Sequence, residues 1–463
     1  MTDALLSERT ADGASAFVSP DEIRTRFSSA LSRMYRAEVP QYGTLLDLVA
    51  QVNAQALARE PALLAGGAAE AARLDIERHG AIRVGTPQEL RMLRRVFAVM
   101  GMQPVGYYDL AAAGVPVHAT AFRPVAERSL AANPFRVFTS LLRLELIQDP
   151  ALRQLAAQVL GRRRIFSARA LALTARFETA GGLAHGEADE FVRELLPTFR
   201  WHDEASVSRD TYQRLRAAHP LLADVVCFKG PHINHLTPRT LDIDAAQREM
   251  PRRGISAKES IEGPPRRKVP ILLRQTSFKA LEEPVRFAAD ASAGAHTARF
   301  GEIEQRGIAL TRKGRVLYDS LLQRARAADG HSPGTALARA FEAFPDDLDT
   351  LRRQGLGLFR YALRSPAQAH IADGTGIDAL VDRGIVDAVP ITYEDFLPVS
   401  AAGIFQSNLG DAAAQASSAG AASQHAFEEA LGVPVLDEIA LGEAQQAASI
   451  ARVMRQLALG PAE

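Results

Sequence analysis

Apolar and polar positions follow two periods along this chain, and the changes of period divide it into segments. Ser19-Pro20-Asp21-Glu22 sets a capping hydroxyl before a proline and two acids, which starts a helix through IRTRFSSALSRMYRAEV. A second helical run covers residues 42–59, and an Ala/Gly-rich linker follows at 61–69. From Leu74 to Val84 the pattern becomes LDIERHGAIRV, with branched residues around His79 and Arg83. Thr86-Pro87-Gln88-Glu89 then opens another helix. This stretch reads as a short strand or turn feeding a helix. Residues 96–125 carry β-branched and aromatic side chains punctuated by Gly and Pro, and predict strands.

The middle of the chain changes character. Between about 134 and 219 the segments FRVFTSLLRLELI, ALRQLAAQVLGRRR, ARALALTARFETA, EADEFVRELLPTF and VSRDTYQRLRAAH have helical spacing and predict a helical lobe. VVCFKGPHINHLTPRTLDID reads as a strand broken at Gly230-Pro231. ILLRQTSFKALEEPVRF and HTARFGEIEQRGIALTRKGRVLYDSLLQRA read as strands passing into a helix. Residues 391–409 form a segment of aromatic, Pro, Ser and Gly residues. The expected fold class is α+β, in one catalytic unit spanning 1–463. Its parts are a helical segment at 20–60, the first part of a β core at 70–125, a helical lobe at 130–220, the main β core and active site at 221–410, and an Ala-rich helical tail at 411–463.

Composition narrows the chemistry. The 463 residues are 47% hydrophobic and 23% charged, ordinary globular values, and the length alone would allow about three domains. Basic and acidic residues number 54 each, so no global electrostatic footprint points to nucleic acid or anionic lipid. The N-terminus lacks a basic and apolar leader, and no run approaches the roughly 18 apolar residues of a membrane span, so a cytoplasmic location is expected. The single cysteine, Cys227, sits among Val and Phe and reads as a buried apolar residue. Metal chemistry must therefore use the 11 His with Asp and Glu. Nucleophile-elbow, Walker A and zincin motifs are missing. The short basic runs at 162–164 and 264–268 read as solvated faces.

What remains is Gly230-Pro231-His232-Ile233-Asn234-His235-Leu236-Thr237. His232 and His235 are either structural histidines or metal ligands. Glu302 and Glu304 alternate in RFGEIEQRG, so a strand would put both on one face. A strand carboxylate together with imidazoles from other strands has the composition of a two-histidine, one-carboxylate site, which leaves open positions on a divalent iron, and His79, with Arg83 four residues on, is a further imidazole candidate.

ERHGAIR, FKGPHINHLTPRTLDID, RQTSFKAL, FGEIEQRG and DFLPVSAAGIFQSNL resemble the 2-oxoadipate dioxygenase/decarboxylase (2-hydroxyglutarate synthase) family over residues 20–410. The resemblance implies a twisted, partly closed β-sheet metal core of the vicinal-oxygen-chelate type, surrounded by helices. It implies that His79, His235 and Glu302 ligate Fe(II), that Arg83 binds substrate, and that the backbone around Val399 and Ser400 closes on it. His235 is preferred to His232, and Glu302 to Glu304, because INHLT and EIEQR are similar to ligand strings of vicinal-oxygen-chelate relatives. The implied reaction takes 2-oxoadipate and O₂ to 2-hydroxyglutarate and CO₂, in lysine breakdown, with no nucleic-acid or membrane partner. Arg83 is alternatively a structural partner of Glu77 or Asp75. Arg274, Gln275, Ser277, Lys279 and Lys229 are lesser pocket candidates. Two other readings compete: an isomerase or lyase using Zn, Mn or Ni at the same ligands, and a non-catalytic binder of 2-oxo acids.

Overall fold

The computed structural model describes residues 17–63, 67–111, 114–288, 293–327, 333–365, 376–397 and 417–459. The first helix, Pro20–Glu38, begins where its cap predicts, with Ser19 Oγ accepting the Glu22 N–H at 3.2 Å. Pro40–Arg59 follows it, and Thr86 caps helix Pro87–Val99 in the same way. The strands are β1 (Arg78–Val84), β2 (Gln103–Asp109), β3 (Val117–Arg123), β4 (Arg136–Leu142), β5 (Leu236–Pro238), β6 (Leu273–Ser277), β7 (Leu281–Arg286), β8 (Ala293–Arg299), β9 (Glu302–Arg306), β10 (Phe359–Leu363) and β11 (Val386–Pro390). The fold is therefore α+β, with its strands in open sheets among helices.

Five strands form one sheet in the order β2-β3-β4-β1-β5, and β6-β9, β7-β8 and β10-β11 pair as ribbons. The β6-β9 ribbon continues the large sheet. Arg239, just past β5, bridges to Glu304 in parallel, and the Thr240 N–H donates to the Glu304 carbonyl at 2.7 Å. The large sheet lies between two apolar cores. Ala81, Ala119, Ala121 and Phe138 face one, and Ile82, Val84, Phe122 and Val137 face the other.

This sandwiching corrects one expectation. FRVFTSLL is read from its pattern as helix, yet Arg136–Leu142 is β4, pairing in parallel with β1 and antiparallel with β3. All seven of its residues are buried, so the strand shows no alternation of apolar and polar residues to betray its period. The longer helices of the lobe begin at Pro150. The reverse error occurs at VVCF: Pro220–Val226 is a helix, started by Pro220 and capped by His219 Nδ1, which accepts the Leu221 N–H.

The tail packs on the core. Helix Glu438–Leu459 lies along β10, where the Tyr361 N–H donates to Ser449 Oγ at 3.1 Å and the Phe359 N–H to Gln446 Oε1 at 2.8 Å. In helix Ser417–Leu431, Phe427 is buried against His118 and Tyr107. Among the described residues no helix is long and apolar enough to cross a membrane.

Candidate metal centre

The register of three strands assembles the site. His79 on β1 pairs with Thr237 of β5, which puts the two side chains on one sheet face, and His235 lies two residues before Thr237. The approach depends on Gly80. A Cβ there would come within 2.4 Å of Ile233 Cδ1 and 2.9 Å of the His235 carbonyl oxygen, so a larger residue would push the 233–235 segment away from β1. On the other side, β6 and β9 pair Ser277 with Glu302 and Gln275 with Glu304, and these four side chains share a face. Gly301 lets the chain turn into β9 against the Phe278 ring, where a Cβ would sit 2.0 Å from Cε1.

One ligand atom each from His79, His235 and Glu302 falls within 4.8 Å of the others, and all three residues are buried. Among the described residues no other group of this kind occurs. Glu302 Oε1 is the focus. His79 Nε2 lies 2.9 Å from it and His235 Nε2 3.8 Å, while Gln275 Nε2 donates to it at 2.7 Å and Thr237 Oγ1 at 3.1 Å. The Phe396 ring meets the edge of His79 at 5.0 Å between centroids, and Phe300 packs on His235 at 4.7 Å. These rings set apolar faces against the two imidazoles.

Electrostatics divide the two imidazoles. Burial pushes His235 down to about 4, against the pull of Glu302, so its ring is neutral and keeps a lone pair for a metal. Burial opposes the charged form of His79 as well, but Glu304 and Glu302 together raise it above its ordinary value. Glu302 is itself held low: burial would raise it, and His235 and His79 outweigh that. Two imidazoles and an ionised carboxylate converging in a buried pocket suit a borderline divalent metal. His235 Nδ1 and Ser277 Oγ are buried beside this centre without hydrogen-bond partners.

Glu304 shares the face of Glu302 but has another task. Arg306 grips both of its oxygens at 2.8 Å, and Glu304 Oε2 lies 2.8 Å from His79 Nδ1, off the line of the ring N–H. It thus stands behind the His79 ring, where a carboxylate would orient that imidazole if it bound a metal. Behind it is a buried ionic network. Glu77 accepts from Arg73, Arg136 and Arg239 at 3.0, 2.9 and 3.2 Å, and Glu394 accepts from Arg73 and Arg136.

His232 turns away from the centre. Its Nε2 is 3.4 Å from Asp224 Oδ1, which His296 Nε2 also approaches at 3.0 Å. Arg83 joins this second cluster through Nη1 at 2.9 Å from Asp224 Oδ2, so its acidic partner is Asp224, where the sequence suggests Glu77 or Asp75. Arg274 pairs with Asp244, and Lys229 with Glu204. Val399 and Ser400 lie outside the described residues. Thr237, Asp224 and His296 are the contributors that sequence reasoning missed. Thr237 carried a usable signal, since it is two residues from His235 and therefore on the same strand face.

Comparison with known proteins agrees in one direction. A family model described as 2-oxoadipate dioxygenase/decarboxylase matches residues 27–408. A curated relative of that name from Escherichia coli (strain K12) is 60% identical over 430 residues, covering 92% of this chain and 96% of its own. Another of the same name, from Pseudomonas putida, is 56% identical over 461 residues, covering 96% and 99%. Among solved structures, the hydroxyglutarate synthase from Pseudomonas putida in complex with 2-oxoadipate superposes with a TM-score of 0.88 at 54% identity. That match covers 96% of this chain and all of the other.

Proposed function

We propose, from the premise that this chain belongs to the 2-oxoadipate dioxygenase/decarboxylase family, that it converts 2-oxoadipate and O₂ to 2-hydroxyglutarate and CO₂ at an Fe(II) held by His79, His235 and Glu302. The observation that carries the reading is the convergence of those three ligand atoms on one buried point. The run of β4, β1, β5, β9 and β6 beside that point is read as a vicinal-oxygen-chelate core, and three protein ligands would leave the remaining positions of a divalent metal to substrate. A cytoplasmic role in lysine breakdown is part of the same proposal.

The stoichiometry closes without a second oxo acid. The C1–C2 bond of 2-oxoadipate breaks and C1 leaves as CO₂. One oxygen atom of O₂ enters the new carboxylate at C2, and the other becomes the hydroxyl on C3. Bound iron would supply a redox-active Lewis acid for the keto and carboxylate oxygens.

The chain's own residues set the rest. Thr237 and Gln275 pin Glu302 Oε1, so the carboxylate holds one rotamer. Glu304, clamped by Arg306, backs the His79 ring. Phe396 and Phe300 exclude water from the reacting end. Arg83 stands four residues beyond His79 on the same face of β1, about 13 Å along the strand. Only the small Ala81 lies between them on that face. A six-carbon diacid anchored at the metal can then present its distal carboxylate to the guanidinium, whose planar fork matches it. The backbone at Val399 and Ser400 would complete the enclosure. Phe396, three residues before Val399, already packs on His79.

An oxygen-electrode assay with anaerobically purified protein, Fe(II) and 2-oxoadipate tests the proposal. Equal uptake of O₂ and release of CO₂, with 2-hydroxyglutarate formed, is expected. No uptake, together with anaerobic turnover under Zn(II) or Ni(II), would contradict it.

A further inference from the structure

Arg83 is held by a buried assembly of its own. Asp224 Oδ2 accepts from Arg83 Nη1 at 2.9 Å, His296 Nε2 lies 3.0 Å from Asp224 Oδ1, and the Tyr212 hydroxyl meets His296 Nδ1 at 2.9 Å. The tautomer of His296 with its proton on Nε2 lets this chain run in one direction. The tyrosine O–H donates to Nδ1, and Nε2–H donates to the carboxylate. His232 Nε2 flanks Asp224 Oδ1 at 3.4 Å. Trp201 stacks on His296 with rings 3° from parallel, and Phe228 packs on the same imidazole at 4.9 Å. Asp224 projects from helix Pro220–Val226, Tyr212 from helix Arg209–Ala218, and His296 from β8. Three separate elements thus supply one chain of contacts that ends at an arginine on the strand that carries His79.

We propose that Asp224, set by His296 and Tyr212, is a positioning residue that fixes the Arg83 guanidinium for the distal carboxylate of the substrate, and so makes the enzyme selective for 2-oxo diacids over 2-oxo monoacids. This rests on the reading of Arg83 given above. A guanidinium held by the fixed Asp224 carboxylate has a set distance from the metal centre. A long flexible side chain would otherwise lose that geometry to rotamer freedom.

The test is steady-state kinetics on the iron-loaded protein with 2-oxoadipate and with 2-oxohexanoate, which has the same chain length and no distal carboxylate, with iron content measured for each variant. Asp224→Asn should raise KM for 2-oxoadipate about 10–100-fold with kcat within about threefold, and leave KM for 2-oxohexanoate within about threefold. Asp224→Glu should recover part of the loss. Tyr212→Phe, a milder change, should raise KM about 2–5-fold for 2-oxoadipate alone. An equal effect on both substrates, or an unchanged KM for 2-oxoadipate, would overturn the inference. If Asp224→Asn fails to fold, the selectivity of Tyr212→Phe decides. Arg83→Ala separates the two layers. If it discriminates between the acids while the Asp224 and Tyr212 variants do not, the positioning role fails alone. If it does not discriminate, the reading of Arg83 fails and takes the inference with it.

Discussion

Two clusters in this molecule have the same composition, two imidazoles and a carboxylate, yet their geometries differ. In one, His79 and His235 approach Glu302 Oε1 at 2.9 and 3.8 Å, with ligand atoms within 4.8 Å of one another. In the other, His296 and His232 approach Asp224 Oδ1 at 3.0 and 3.4 Å, and Arg83 takes Oδ2. The second cluster already contains a cation. Its carboxylate is held far below the usual range by His232, His296 and Arg83 against the cost of burial, and its imidazole His296 is committed at both nitrogens. In the first cluster Glu302 Oε1 meets the His79 imidazole and the neutral donors of Gln275 and Thr237, and burial holds the His235 ring neutral at about 4. Residue types alone do not separate a metal centre from a guanidinium anchor. The separation lies in the arginine: Arg83 already pairs with Asp224, whereas imidazoles and neutral donors meet Glu302 Oε1.

Substitution can break that comparison. Glu302→Ala should abolish both metal binding and turnover, a loss of at least about a thousandfold, because two neutral imidazoles alone hold the ion weakly. Metal titration and O₂ uptake would register it together. Arg83→Ala should act on substrate alone. Metal content should stay stoichiometric while binding of 2-oxoadipate weakens by about 2–5 kcal/mol, measurable by calorimetry under anaerobic conditions. A parallel loss of metal in Arg83→Ala would merge the two clusters into one. Thr237→Val removes a single donor from Glu302 Oε1. It should weaken metal affinity about 10–100-fold with the fold intact, as read by competition with a chromogenic chelator. The smallest effect is expected at Cys227, beside Asp224 in the second cluster. Burial pushes its thiol up to about 12, so the folded protein should not react with an aromatic disulfide reagent at pH 8, and one thiol per chain should appear on unfolding.

How much of this was legible in the sequence varies by residue, for physical reasons. The helix starts at Ser19 and Thr86 were legible because a capping side chain acts within three residues. β4 was not, since burial on both faces erases the period that marks a strand. His79, His235, Glu302 and Arg83 were named through the family resemblance of their surrounding strings. Spacing alone could not choose between Glu302 and Glu304, because both occupy the same face of β9. The structure distinguishes them through Arg306, two residues on and again on that face, which closes on Glu304. Asp224 and His296 carried no sequence signal. Their meeting with Arg83 depends on a helix and two strands drawn from distant parts of the chain.

The assignment of roles to the two clusters comes down to one pair of histidines three residues apart. The direct measurement is the iron content of His235→Ala and His232→Ala after anaerobic reconstitution with Fe(II) and removal of excess metal. The expected result is that His235→Ala retains no iron while His232→Ala retains the same amount as the unaltered protein. Iron kept by His235→Ala and lost by His232→Ala would contradict the assignment.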